Sequence, residues 1–167
     1  MSRVWLFGDD VNTDAIIPGR YLDNYDPEHL AAHAMEGTSR EFAKSVSQGD
    51  IIVAGRNFGC GSSREQAVIA LARAGVKAVV AKSFARIFYR NAVNLGLFVM
   101  TSKDAADLFV DGDEARLDLR NNSLMSADGG RSAVLAPIPE HVKKILDAGG
   151  LVPYVKARLA VTSRPPK

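Results

Sequence analysis

Residues 57–67 read Asn-Phe-Gly-Cys-Gly-Ser-Ser-Arg-Glu-Gln-Ala, and they constrain the fold more than any other stretch of the chain. The apolar, strand-like run from Ile51 to Ala54 leads into them, and a helical pattern starting at Ser63 leads out. A strand, a glycine-rich turn and a helix in that order form the repeating unit of a parallel α/β sheet. The same order puts Gly59, Gly61, two serines and Arg64 at a helix N-terminus, where unpaired amides and the positive end of the helix dipole favour an anion. Arg64 adds a planar fork suited to a carboxylate or a phosphate.

The unit recurs. After the strand at 51–54 and a helix over 63–74 that stops at Gly75 come a strand at 78–81, a helix over 84–95 that stops at Gly96, and a strand at 97–100. Upstream, residues 3–7 read as an opening strand, followed by a polar turn through Gly8-Asp9-Asp10 and Asn12-Thr13-Asp14. A helix over 27–35 has Asp26 as its N-cap and Pro27 in its first position, and a short helix over 40–46 precedes a turn at Gly49-Asp50. Beyond Ser102 the pattern changes to a short helix ending at Phe109, a turn at Asp111-Gly112, and alternating strands at 115–119 and 131–135 that read as an antiparallel addition. A last helix covers 139–148. The expected fold is α/β, a mixed sheet with flanking helices, in one domain over residues 1–155 with a frayed tail over 156–167.

The 21 basic and 19 acidic residues are scattered and leave a formal charge of +2, which argues against a nucleic-acid surface and remains compatible with small anionic ligands. Cys60, the one cysteine, cannot form an internal disulfide, and no apolar leader follows Met1. No run approaches the roughly eighteen apolar residues that cross a bilayer. A reducing cytoplasmic setting is the expectation.

Ser62 and Glu65 match the S-x-x-E capping box, and on local chemistry alone a helix cap is the default reading of Ser62. Gly59-Cys60-Gly61 also mimics the start of a dinucleotide-binding G-x-G-x-x-G. However, Arg64 stands where the third glycine allows close packing, and Lys82 or Ser83 stands where a ribose-binding acid is sought. No Gly-Lys-Ser/Thr follows, so a P-loop fails too. What remains is a loop whose Gly59, Cys60 and Gly61 amides can converge on an oxygen while Ser62 and Ser63 project from the same turn. A serine acts as a base only when preorganised donors hold its alkoxide, and such amides are one way to supply them.

Three separated segments then carry a resemblance: Asp9-Asp10-Val11-Asn12-Thr13-Asp14-Ala15-Ile16-Ile17-Pro18, Phe58-Gly59-Cys60-Gly61-Ser62-Ser63-Arg64-Glu65, and Ala81-Lys82-Ser83-Phe84-Ala85-Arg86-Ile87-Phe88-Tyr89-Arg90-Asn91. In order and spacing they resemble the small subunits of isopropylmalate dehydratase and homoaconitase, within the aconitase swivel-domain superfamily. The resemblance implies a free-standing swivelling β/β/α domain and a hydro-lyase that dehydrates and rehydrates a hydroxy di- or tricarboxylic acid by way of an alkene. It also implies a [4Fe-4S] cluster on a separate large subunit, in a heterodimer or heterotetramer, and no cofactor on this chain. The lone Cys60 agrees with that division, since a cluster needs several thiolates.

Carried over by position, the resemblance makes Ser62 the base, Ser63 and Arg64 holders of substrate carboxylate, Arg20 a further carboxylate-binding arginine, and Asp14 an acid that orients its neighbours. On local grounds Arg20 reads equally as a solvated surface residue, and Asp14 reads more readily as an Asx turn. Arg86 and Arg90, four apart on one helix face, read as structural or interfacial. His29, His33 and His141 read as surface or packing residues, and Gln66 stands where His commonly follows Arg-Glu in these proteins.

In the family the segment after Tyr21-Leu22 senses the variable arm of the substrate, which here falls to Leu22, Asp23, Asn24 and Tyr25. Asp23 repels an additional carboxylate, while Leu22 and Tyr25 offer an apolar wall. The resemblance therefore ranks interconversion of 2- and 3-isopropylmalate, in leucine biosynthesis, ahead of dimethylmalate and homoaconitate. A reading of another class is a non-catalytic anion-binding or regulatory domain with no cluster-bearing partner. The intact Ser62, Ser63 and Arg64 favour the enzyme.

Overall fold

The structure, a computed structural model, describes residues 1–162. In chain order the elements are β1 (Ser2–Phe7), α1 (Thr13–Ile16), a 3-10 turn (Gly19–Tyr21), α2 (Pro27–Ala32), α3 (Phe42–Ser45), β2 (Ile51–Ala54), α4 (Glu65–Ala74), β3 (Ala78–Ala81), α5 (Arg86–Leu95) and β4 (Phe98–Thr101). Then come α6 (Ala105–Leu108), β5 (Glu114–Asp118), β6 (Ser123–Ser126), β7 (Ser132–Val134), α7 (Glu140–Asp147) and α8 (Leu151–Thr162). The expected α/β class with a mixed sheet and flanking helices is what forms.

All seven strands join one sheet in the order β4-β3-β2-β1-β5-β6-β7. Strand β1 is the point of change, parallel to β2 on one side and antiparallel to β5 on the other. Every residue of β2 and β3 is buried, as parallel strands covered on both faces require, whereas β5 and β6 alternate. The register lines up Trp5, Ile52, Val79 and Val99 across the parallel block, and this row packs under α2, α4 and α5 with Phe42, Leu71 and Phe88. The opposite row, Val4, Ile51 and Ala78, packs with Phe109, Leu124 and Leu135. Because the sheet curls around this second cluster, its two outer strands meet at their ends: Ala136 N–H donates to Thr101 O at 2.8 Å, and Ser102 Oγ donates to Val134 O at 2.8 Å.

Several expectations shift. Strand β6 has no counterpart in the sequence reading, because Ser-Leu-Met-Ser shows too little apolar alternation. It forms because its neighbours on both sides supply partners and bury Leu124. The helix expected over 27–35 ends at Ala32, and Met35, at φ 59°, turns its amide onto Ile16 O at 2.6 Å. The tail expected to fray from Lys156 instead continues α8 through Thr162, while residues 163–167 lie outside the described residues. Gly149-Gly150 reads as a stop, yet Pro153 falls in the first turn of α8, where its missing N–H is no loss.

The turn at Gly49-Asp50 does more than reverse the chain. Asp50 is buried, and its carboxylate accepts from the Trp5 indole at 3.0 Å, Ser47 N–H at 2.9 Å and Arg3 N–H at 3.2 Å, fixing the entry of β1 beside that of β2. Hydrogen bonds to a buried charged acceptor are worth more than neutral ones, so Asp50→Ala, which orphans three donors, is expected to cost about 3 kcal/mol in urea denaturation. Trp5→Phe, which orphans only one oxygen site, should cost less than half of that beyond its change in packing. A loss under about 1 kcal/mol for Asp50→Ala would show that the anchor is dispensable.

Candidate active site

The three motifs follow β1, β2 and β3, so they emerge side by side at the carboxyl ends of neighbouring parallel strands, where open α/β sheets bind ligands. There they pair with one another. Gly55 N–H donates to Gly8 O, Asp10 N–H to Arg56 O, Gly59 N–H to Val11 O, and Thr13 N–H to Cys60 O, at 2.7–3.1 Å. Asp9 Oδ1 accepts from Arg56 N–H at 2.6 Å, and Asp10 Oδ1 accepts from Asn57 Nδ2 at 2.8 Å. On the other flank Phe58 N–H donates to Ser83 O, Ala85 N–H to Phe58 O, and Asn57 N–H to Ser83 Oγ. The middle loop is thus zipped between two others and pinned by the fully buried Phe58 ring. Gly59, at φ 80°, lies so close to the Phe88 ring that any Cβ would overlap it.

This zipper decides what the loop can offer. Helix α4 begins at Glu65 with Arg64 as its N-cap and no side-chain cap, so Ser62 lies outside the helix and the capping-box reading does not hold. The Gly59 amide is spent on Val11 O and cannot face a ligand, which corrects the expectation that all three loop amides converge. The amide of Cys60 is turned into the bridge with Asn12, the amide of Gly61 keeps no partner among the described residues, and the Ser62 hydroxyl is exposed and likewise unbonded. Beneath the loop the buried Thr13 Oγ1 has no partner among the described residues and lies 3.4 Å from where a Cβ on Gly61 would sit.

Arg64 is mostly buried, with its Nη1 2.6 Å from Asp14 Oδ1 and 3.4 Å from Ile17 O. Asp14 therefore orients Arg64 and is not an Asx turn. The turn is made by Asn12, whose side chain accepts from Ala15 N–H at 2.8 Å to cap α1. Ser63 is exposed beside Arg64. A serine hydroxyl, a second hydroxyl and an arginine held in place by its own carboxylate form an open half-site of donors able to meet an anion.

Arg20 is not gathered into that half-site. It is exposed and bonds Glu36 Oε1 at 2.6 Å, while its guanidinium lies 4.6 Å over the Tyr21 ring. Tyr21 Oη donates to the same oxygen at 2.9 Å, His33 Nδ1 lies 2.7 Å from Glu36 Oε2, and the Tyr21 and His33 rings stack at 3.6 Å. This network ties the chain ahead of residues 22–25 to the turn that follows α2. In that segment Leu22 packs on the core, Asn24 Oδ1 accepts from Asp26 N–H at 2.9 Å, and Asp23 and Tyr25 are exposed. Glu36 carries no local sequence signal, because its partners lie fifteen, sixteen and three residues away. Arg86 and Arg90, by contrast, line a cleft of about 420 Å³ together with Gly61 and Ser62. Among the described residues no cluster of His, Cys, Asp and Glu is arranged to hold a metal ion, and no helix is long and apolar enough to cross a membrane.

Donation from His33, Tyr21 and Arg20 holds the Glu36 carboxyl at about 2, below its ordinary 4.5. A depressed folded value stabilises the native state at pH above the unfolded value, and that contribution is lost as pH falls through the folded one. The stability of the wild-type chain should therefore decline between pH 4.5 and about 2 more steeply than that of Glu36→Gln, measured as urea midpoints across that range. Parallel pH curves for the two proteins would show that the network is not linked to folding.

Residues 17–105 match the model of the aconitase C-terminal domain, which is more than half of the chain. The 3-isopropylmalate dehydratase small subunit 1 of Methanopyrus kandleri is 53% identical over 155 residues, covering 93% of this chain and 91% of that protein. The methanogen homoaconitase small subunit of Methanothermobacter thermautotrophicus is 56% identical over 151 residues, covering 90% and 87%. Among solved structures, the 3-isopropylmalate dehydratase LeuD of Methanocaldococcus jannaschii superposes with a TM-score of 0.93 at 50% identity, covering 97% of this chain and 96% of its own. With its three motifs zipped at the strand ends and at least 90% of its length shared with these relatives, the chain belongs to the aconitase C-terminal domain family.

Proposed function

We propose that this chain is the small subunit of a hydro-lyase that interconverts 2-isopropylmalate and 3-isopropylmalate by dehydration and rehydration, a step of leucine biosynthesis. The observation that carries the reading is the exposed, unbonded Ser62 hydroxyl on a clamped loop, with Ser63 and the Asp14-held Arg64 beside it. The proton to be removed sits on a carbon next to a carboxylate. Ser62 takes it, and the negative charge that develops on that carboxylate is met by the Arg64 fork and the Ser63 hydroxyl. Asp14 keeps Arg64 in position before substrate arrives, so little reorganisation is left for the reaction. Activation of the departing hydroxyl belongs to a [4Fe-4S] cluster on a large subunit, since Cys60 is the one thiol of this chain. The reducing interior of the cell, where such clusters are kept, is the proposed setting.

A second substrate reading has a specific basis in the 56% identity to a homoaconitase small subunit. Homoaconitate brings a third carboxylate, and the exposed Asp23 in the specificity segment opposes it. In the enzyme reconstituted with its large subunit, kcat/KM should favour isopropylmalate over homoaconitate, and Asp23→Arg should move the ratio at least tenfold toward homoaconitate. A wild-type preference for homoaconitate would replace the isopropylmalate reading with this one.

Because Ser62 caps nothing, stability and catalysis separate cleanly. Ser62→Ala in the reconstituted enzyme should lower kcat by roughly two to four orders of magnitude, while its urea midpoint stays within about 0.5 kcal/mol of wild type. Arg64→Lys keeps the charge but loses the fork, and should chiefly raise KM. Near wild-type turnover in Ser62→Ala would leave a family member without the proposed chemistry.

A further inference from the structure

The outward face of α5 carries Arg86, Ile87, Arg90, Asn91 and Asn94, spaced so that they form one stripe along the helix. Arg86, Ile87 and Arg90 line the cleft that holds Ser62, and Ile87, Arg90, Asn91 and Asn94 line a second cleft that holds Ser63. Neither arginine has an ion-pair or hydrogen-bond partner among the described residues, no residue lining either cleft is acidic, and Ile87 is 49% exposed. Arg20, Arg64, Arg73 and Arg131, in contrast, are each matched to a carboxylate within the chain. An exposed isoleucine between two free guanidiniums has the composition of an interface anchor, rich in arginine and apolar at its centre.

We propose that this stripe docks an acidic surface of the cluster-bearing large subunit, with partner carboxylates on Arg86 and Arg90 and an apolar notch around Ile87. The inference rests on the proposed function, because excluding water from around the exposed Ser62 strengthens every electrostatic interaction made there, and a partner surface is what would exclude it. A protein surface laid over Ser62 meets Arg86, Ile87 and Arg90, which line the same cleft. The positive charge selects an acidic partner face and steers its approach. A substrate carboxylate and a second copy of this chain are the competing occupants.

The test is a titration of the purified chain into the large subunit of the same organism, reading Kd by calorimetry at several salt concentrations alongside steady-state kinetics. The double variant Arg86→Glu/Arg90→Glu should weaken Kd by roughly 100-fold or more and lose the salt sensitivity that wild type shows. Ile87→Ala should weaken it by about tenfold. Arg116→Glu, on the exposed face of β5, should leave Kd unchanged. Its urea midpoint should match wild type, as neither guanidinium has a partner within the described residues. An unchanged Kd with a raised KM would assign the arginines to substrate and overturn the docking role, and dimerisation of the chain alone that the same variant abolishes would assign the stripe to a second copy. Failure of the wild-type chain to bind any large subunit would instead remove the functional reading itself, and the stripe's role with it.

Discussion

Everything at the candidate site depends on backbone pairing between loops that belong to no strand. The segments after β1 and β2 continue side by side for several residues beyond the sheet, exchanging amide-to-carbonyl bonds from Gly55–Gly8 through to Thr13–Cys60, and the segment after β3 closes the other side. Loops are ordinarily the mobile part of an α/β protein. Here the ladder continues past the strands, and the buried Val11 and Phe58 carry the core along with it. That explains why three motifs far apart in the chain occur together: each supplies the hydrogen-bond partners of the next, and none would hold its shape alone.

The parallel half of the fold was legible because runs such as Ile51–Ala54 and Ala78–Ala81 must be buried on both faces, and because Gly75 and Gly96 mark the helix ends with the left-handed backbone that glycine supplies cheaply. The antiparallel half was only partly legible. Strand β6 owes its existence to two neighbours and not to its own pattern, and the start of α8 hides behind a glycine pair and a proline. Periodicity reports what a segment needs from water, and it is silent about what other strands bring to it.

At the site the chemistry of individual residues was readable and their partnerships were not. Arg64 and Asp14 are fifty residues apart, and only the fold shows that one holds the other. Ser62 followed by Glu65 satisfies the pattern of a cap, yet the zipper delays the helix start to Glu65 and leaves the hydroxyl outside it. Arg20, which reads as a carboxylate binder by resemblance and as a solvated arginine on local grounds, is the end of a network through Tyr21, His33 and Glu36. In each case a long-range contact overrode a sound local expectation.

The curl of the sheet bears on how such a chain survives before it meets another. Open sheets carry two edges whose unpaired backbone invites the strands of other molecules. In this chain the two edge strands are only three and four residues long, and their ends are tied by Ala136 to Thr101 and by Ser102 to Val134. A stranger finds little ladder to extend. In a crowded solution the sheet edges of a newly made copy therefore need little from a companion to shield them.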